Sequence, residues 1–197
     1  MMTTVLNSLK RIWRKVIVRI FYNPNTIEEF YRKEGVRIGY GNRIHTRDLG
    51  SEPYLLKIGN DCVLSANVRF ITHDGGSGIF RKEIPNLNVF GKIEIKDGCF
   101  IGMDAILMPN IVIGPHSVVG AGSVVTKDVP PYSVAAGSPA RVICTLEEYK
   151  QKCIQKFRAL NLKGPRNTWQ QQLEDYFWKD SSRQVTPESK PLIPEQV

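Results

Sequence analysis

The stretch FITHDG, residues 70–75, carries His73, one of three histidines in a chain of 197 residues. Imidazole is the side chain best suited to take a proton near neutral pH. A positioned imidazole of this kind serves general acid–base chemistry, taking the proton of an attacking hydroxyl. His45 and His116 read as solvated corners, since exposed polar residues are the ordinary surface of a protein. The four cysteines, Cys62, Cys99, Cys144 and Cys153, form no CxxC pair, and the histidines form no close pair. Neither a zinc site nor a disulfide framework is indicated, and a reducing cytosol is the expected setting.

The elements that must position His73 are written in a period of six. Ile95, Ile101, Leu107, Ile113, Val119 and Val125 recur without a break, after Ile38 and Ile44 and then Ile58, Leu64 and Phe70. Glycine follows directly at Gly39, Gly59, Gly102, Gly114 and Gly120. The fifth slot of each unit is small or β-branched: Cys62, Val68, Cys99, Ala105, Ile111, Ser117, Ser123 and Val129. Six is even, so each aliphatic keeps one side of an extended strand. The recurring glycine is expected to allow a sharp turn once per unit, so that short parallel strands stack around a narrow apolar core. The period breaks after Asp74, and residues 74–92, a loop longer than compact domains usually carry, precede its return near Ile93.

On either side the pattern is helical. Residues 5–22, VLNSLKRIWRKVIVRIFY, place five basic residues opposite an apolar stripe, a basic amphipathic helix that packs on protein or lies on anionic lipid. TIEE at 26–29 forms a capping box for a short helix that Gly35 stops, completing an N-terminal helical segment, 1–35. TLEE at 145–148 opens a C-terminal helix within 144–164, and 165–197 is a polar tail with a short helical pattern at its start. The formal net charge of +8 favours nucleic acid, phosphorylated cofactors or an acidic membrane surface without choosing among them. No apolar run reaches the roughly 18 residues of a spanning helix, nor does the N-terminus read as a secretion signal, so neither a secreted nor an integral protein is expected.

The stretch IGMDAILMPNIVIGPHSVVGAGSVVTKDVPPYSVAAGSPARVI resembles the hexapeptide-repeat acyltransferases, in the branch of maltose, galactoside and xenobiotic O-acetyltransferases and polysaccharide-modifying relatives. The likeness covers roughly residues 36–143. It implies an all-β core, a left-handed parallel β-helix with helices at both ends, assembled as a homotrimer. It also implies acetyl-CoA as donor, lying between subunits. By this resemblance His73 is the general base, Gly102 and Met103 border the thioester, and Ala121 and Ser123 border the pantetheine arm. Thr126, Lys127 and Arg141 would meet the phosphates of the cofactor, where lysine acts as a compact positive charge. The chain departs from the pattern at Phe100, where sugar acetyltransferases commonly carry tryptophan, so an indole N–H contact is not carried over.

The acceptor is expected at the 74–92 loop and the uneven 45–57 region, with Asp74, Arg81, Asn86 and Phe90 meeting a sugar. The leading expectation is O-acetylation of a glycan hydroxyl by direct attack in a ternary complex, in the cytoplasm, at the inner face of the membrane where the basic helix lies on lipid and away from it where that helix packs on protein, with no nucleic acid partner. The alternatives are N-acetylation of a nucleotide-linked amino sugar, O-acetylation of an antibiotic, a carbonic-anhydrase-like zinc enzyme, and a scaffold without catalysis.

Overall fold

The computed structural model describes residues 22–24, 26–155 and 162–179. The basic amphipathic helix expected at 5–22 lies outside these, apart from Tyr22. Two compact units are present, Met1–Glu147 and Glu148–Val197.

The first unit is built from short strands in three parallel sheets. One face stacks Arg37–Ile38, Leu56–Ile58, Ile93–Ile95 and Ile111–Ile113. The second stacks Arg43–Ile44, Val63–Leu64, Phe100–Ile101, Val118–Val119 and Ser133–Gly137, with Ala140–Thr145 closing it antiparallel. The third holds Arg69–Phe70, Ile106–Leu107 and Val124–Val125. From Ile93 to Val125 the chain visits first, second and third face in turn, twice, and Val129 then bridges back to Ile113 on the first. The polypeptide therefore coils, each strand lying one circuit above its predecessor.

The core follows the period of six. Ile95, Ile101, Leu107, Ile113, Val119 and Val125 are each at most 1% exposed. Cys62, Val68, Cys99, Ala105, Ile111, Ser117 and Ser123 of the fifth slot are equally buried. Each large aliphatic taken from water in this way contributes roughly 1.5–3 kcal/mol.

The turn does not fall on the recurring glycine. None of Gly39, Gly59, Gly102, Gly114 and Gly120 has a positive φ; the left-handed corners are Asp61, Asn67, Gly98, Asp104, Asn110, His116 and Gly122, with φ between 53° and 66°. These stand one position before the fifth slot, and Asn, Asp and Gly tolerate that conformation best. The recurring glycines serve close stacking instead. A Cβ at Gly102 would stand 2.4 Å from the Ala121 nitrogen, and one at Gly114 2.5 Å from that of Pro131.

Helix α1, Ile27–Lys33, begins at Thr26 without the side-chain bond of a capping box. Thr26 instead exchanges hydrogen bonds with Asn23: the Thr26 N–H donates to Asn23 Oδ1 and the Asn23 N–H to Thr26 Oγ1, both at 3.1 Å. Gly35, at φ 92°, ends the helix as expected. Helix α2, Leu146–Gln155, follows the last strand, and α3, Trp169–Glu174, lies in the second unit. Among the described residues, no helix is long and apolar enough to cross a membrane.

Two interruptions shape one end of the third face. The segment 46–51 passes where a further strand of that face would lie: the Thr46 hydroxyl donates to the Val68 carbonyl at 2.9 Å, and a Cβ on Gly50 would meet the Phe70 carbonyl oxygen at 2.6 Å. Beyond Phe70 the chain leaves the coil as the 74–92 loop. An antiparallel pair closes its base, His73 opposite Phe90 and Asp74 opposite Val89.

Candidate active site

His73 sits at the mouth of that loop because the coil ends one strand earlier. Its ring lies 6.0 Å, centroid to centroid, from that of Phe90, and its side chain is 44% exposed. Nδ1 is 3.0 Å from Oε2 of Glu52, a carboxylate with only 13% of its side chain exposed. The Thr72 hydroxyl donates to the same oxygen. Burial alone would raise the pKa of Glu52. The hydrogen bonds from Thr72 and His73 and the attraction of the imidazole outweigh it and hold the carboxyl below its ordinary value. An ionised carboxylate can only accept, so Nδ1 carries the hydrogen in this pair and Nε2 keeps its lone pair. Such a pair can take a proton at Nε2 from a hydroxyl placed beside it.

Glu52 was invisible to periodicity. It lies in the uneven 45–57 region, just before Pro53–Leu55, a single 3-10 turn. The only available signal was an acidic residue in the segment already expected to face the acceptor.

Two of the four expected acceptor residues, Asp74 and Arg81, have side-chain partners of their own. Asp74 caps the 3-10 turn Gly75–Lys82 by accepting from the Gly76 N–H at 2.8 Å. Arg81 donates to the Leu87 carbonyl at 3.3 Å and to Asn88 Oδ1 at 3.1 Å, tying the loop to itself. Asn86 holds a left-handed turn at φ 67°. Phe90 alone offers an open face, beside His73.

Gly102, Met103 and Ala121 form a ridge at the corner between second and third faces, where Gly102 lies flat beneath the 120–121 backbone and Met103 and Ala121 are exposed. Gly122 has open space where a Cβ would stand. Thr126 and Lys127 are exposed further along the same chain, and exposed Arg141 donates to the Ala140 carbonyl at 2.9 Å. Ser123 does not belong with them. It is fully buried, and its hydroxyl accepts from the Gly137 N–H at 3.2 Å, because the fifth slot points inward.

Neither core thiol is placed for covalent work. Cys62 and Cys99 are buried on neighbouring coils, and interaction with the Cys99 thiol together with burial pushes the Cys62 thiol up. His45 is an exposed corner residue, and His116 stacks on Tyr132 at 5.2 Å.

The family described as bacterial transferase hexapeptide (six repeats) matches residues 92–127. Protein CapG of Staphylococcus aureus is 42% identical over 150 residues, 75% of this chain and 84% of that one. The galactoside O-acetyltransferase of Escherichia coli K12 is 34% identical over 117 residues, 55% of this chain and 57% of that enzyme. A solved hexapeptide-repeat acetyltransferase of Vibrio cholerae, in complex with acetyl coenzyme A, superimposes with a TM-score of 0.52 at 29% identity, covering 57% of this chain and 61% of that one.

Proposed function

Since the chain belongs to the bacterial hexapeptide transferases, in their acetyltransferase branch, we propose that it transfers acetyl from acetyl-CoA to a hydroxyl of a carbohydrate. The observation that carries the reading is the His73–Glu52 pair at the break in the coil, with Nδ1 3.0 Å from the carboxylate.

Glu52 fixes the ring and its tautomer. His73 Nε2 takes the proton of the acceptor hydroxyl as its oxygen attacks the thioester carbon. That proton then passes to the departing sulfur, so ester and free thiol leave in balance. Acetyl-CoA supplies an activated acyl group, and Gly102, Met103 and Ala121 would border it, with Thr126, Lys127 and Arg141 toward its phosphates. The acceptor attacks directly in this reading, and the two thiols inside the coil, Cys62 and Cys99, are sealed in the core.

The same reading takes the coil as left-handed, the site as shared between protomers of a cytoplasmic homotrimer, and the basic segment 5–22 as a membrane contact. Apolar outward side chains support the assembly. Phe100 and Val142 are 41% and 51% exposed on the second face, whereas the first face carries Lys57, Glu94 and Lys92.

Release of coenzyme A from acetyl-CoA, followed with a panel of sugars and glycans, tests the reading. Acceptor-dependent release that is lost in His73→Ala supports it. Undiminished turnover in that variant would sink it.

A further inference from the structure

A groove of about 620 Å³ runs along the third face between the 45–48 segment and residues 67–69, reaching Asp104 on the next coil. A smaller hollow of about 190 Å³ continues it past Gly50 and Phe70 to His73, and Asp48 and Arg69 line both. The two together have the volume of a small-molecule site.

Two arginines, Arg47 and Arg69, line the groove. Both residues are exposed, and among the described residues neither has a salt-bridge partner or a side-chain hydrogen bond. Arg81, by contrast, is tied within its own loop. Of the two carboxylates nearby, Asp48 accepts from the Gly50 N–H at 3.1 Å within its own turn, and Asp104 sits at a left-handed corner with φ 58°. Two free planar donors flanking a channel that ends at the base are suited to an oxyanion, which guanidinium grips through paired N–H bonds.

We propose that this groove selects an acceptor sugar bearing an anionic group, a carboxylate or a phosphate, which Arg47 and Arg69 hold while the reacting hydroxyl lies at His73. Asp48, Asp104 and Asn67 then face the neutral hydroxyls of the same ligand. The assignment rests on the acetyltransferase reading for the chemistry at His73, while the binding it requires can be measured without it.

Calorimetric titration of the full chain, without donor, with glucuronate, glucose 1-phosphate and glucose separates the possibilities. At least one anionic sugar should bind tenfold or more tightly than glucose, and which one does so tells carboxylate from phosphate. Arg47→Gln and Arg69→Gln should each weaken that binding about tenfold, the loss of one charge-assisted hydrogen bond. Arg69→Lys should recover most of it for a phosphate, and His73→Ala should leave it within about twofold. The proposal is overturned if neither anionic sugar binds, if glucose binds as well, or if the glutamine variants leave affinity unchanged and instead raise the KM for acetyl-CoA. Binding as described in a protein that transfers acetyl to no acceptor would remove the acetyltransferase reading and leave the anion site standing.

Discussion

Glu52 and His73 are 21 residues apart in sequence, and the fold sets Oε2 of one 3.0 Å from Nδ1 of the other. Nothing local holds them there. The 46–51 segment lies along the strand that leads into His73, and the Thr72 hydroxyl donates to the same carboxylate oxygen.

Replacing His73 by alanine removes the proposed base and should lower kcat by about 10² to 10⁴-fold, the span of general-base assistance. The KM for acetyl-CoA should stay close to that of the parent. Steady-state kinetics of the purified variant decide it, and a loss confined to KM would contradict the role.

Glu52→Gln is more specific. An amide can donate to Nδ1 and turn the imidazole to the tautomer with hydrogen on Nε2, where it no longer accepts a proton. We expect kcat to fall on the order of 10²-fold or more with KM little changed. Glu52→Asp should recover part of the rate if the carboxylate reaches the ring. Equal turnover in parent and glutamine variant would show that the pair is structural only.

Glu94 on the first face accepts from Lys57 at 2.8 Å and from Lys96 at 2.6 Å, with Lys92 at 3.8 Å. The Lys57 and Lys96 bonds overcome desolvation and hold the carboxyl down at about 2. A depressed folded-state pKa gives stability that is complete above the unfolded value near 4.5 and is lost as pH falls toward 2. Denaturant midpoints should therefore decline across that interval in the parent and decline less in Glu94→Gln. Near neutrality the variant should lose on the order of 1 kcal/mol.

In the core, Leu107→Ala empties a fully buried position between two coils and should cost about 2–5 kcal/mol, read from urea unfolding. At the corners, Asn110 holds φ 59°, so Asn110→Val should destabilise by about 1–2 kcal/mol while Asn110→Gly stays near the parent. A valine variant as stable as the parent would refute the corner assignment.

The period of six determines which side chains face inward, because alternation along a strand is a property of the backbone and burial does the selecting. That is why Ile95 through Val125 could be placed in the core from the amino-acid sequence. The same rule could have removed Ser123 from the ligand-facing set, since it occupies the inward fifth slot. Glycine was harder to read, as one residue type meets two demands. At 102 and 114 it permits close coil stacking, while the turn falls on Asp104, Asn110 and His116, whose left-handed φ carries no hydrophobic signature.

By itself the sequence determined the coil, its inner face and the point where the chain leaves it, since all three follow from local spacing. The tertiary structure alone decided that Glu52 would meet His73 and that Arg47 and Arg69 would flank one groove. Those meetings depend on an aperiodic segment lying against a neighbouring turn of the coil, and contacts across such a distance in sequence are set by stacking and burial, which no short-range pattern records.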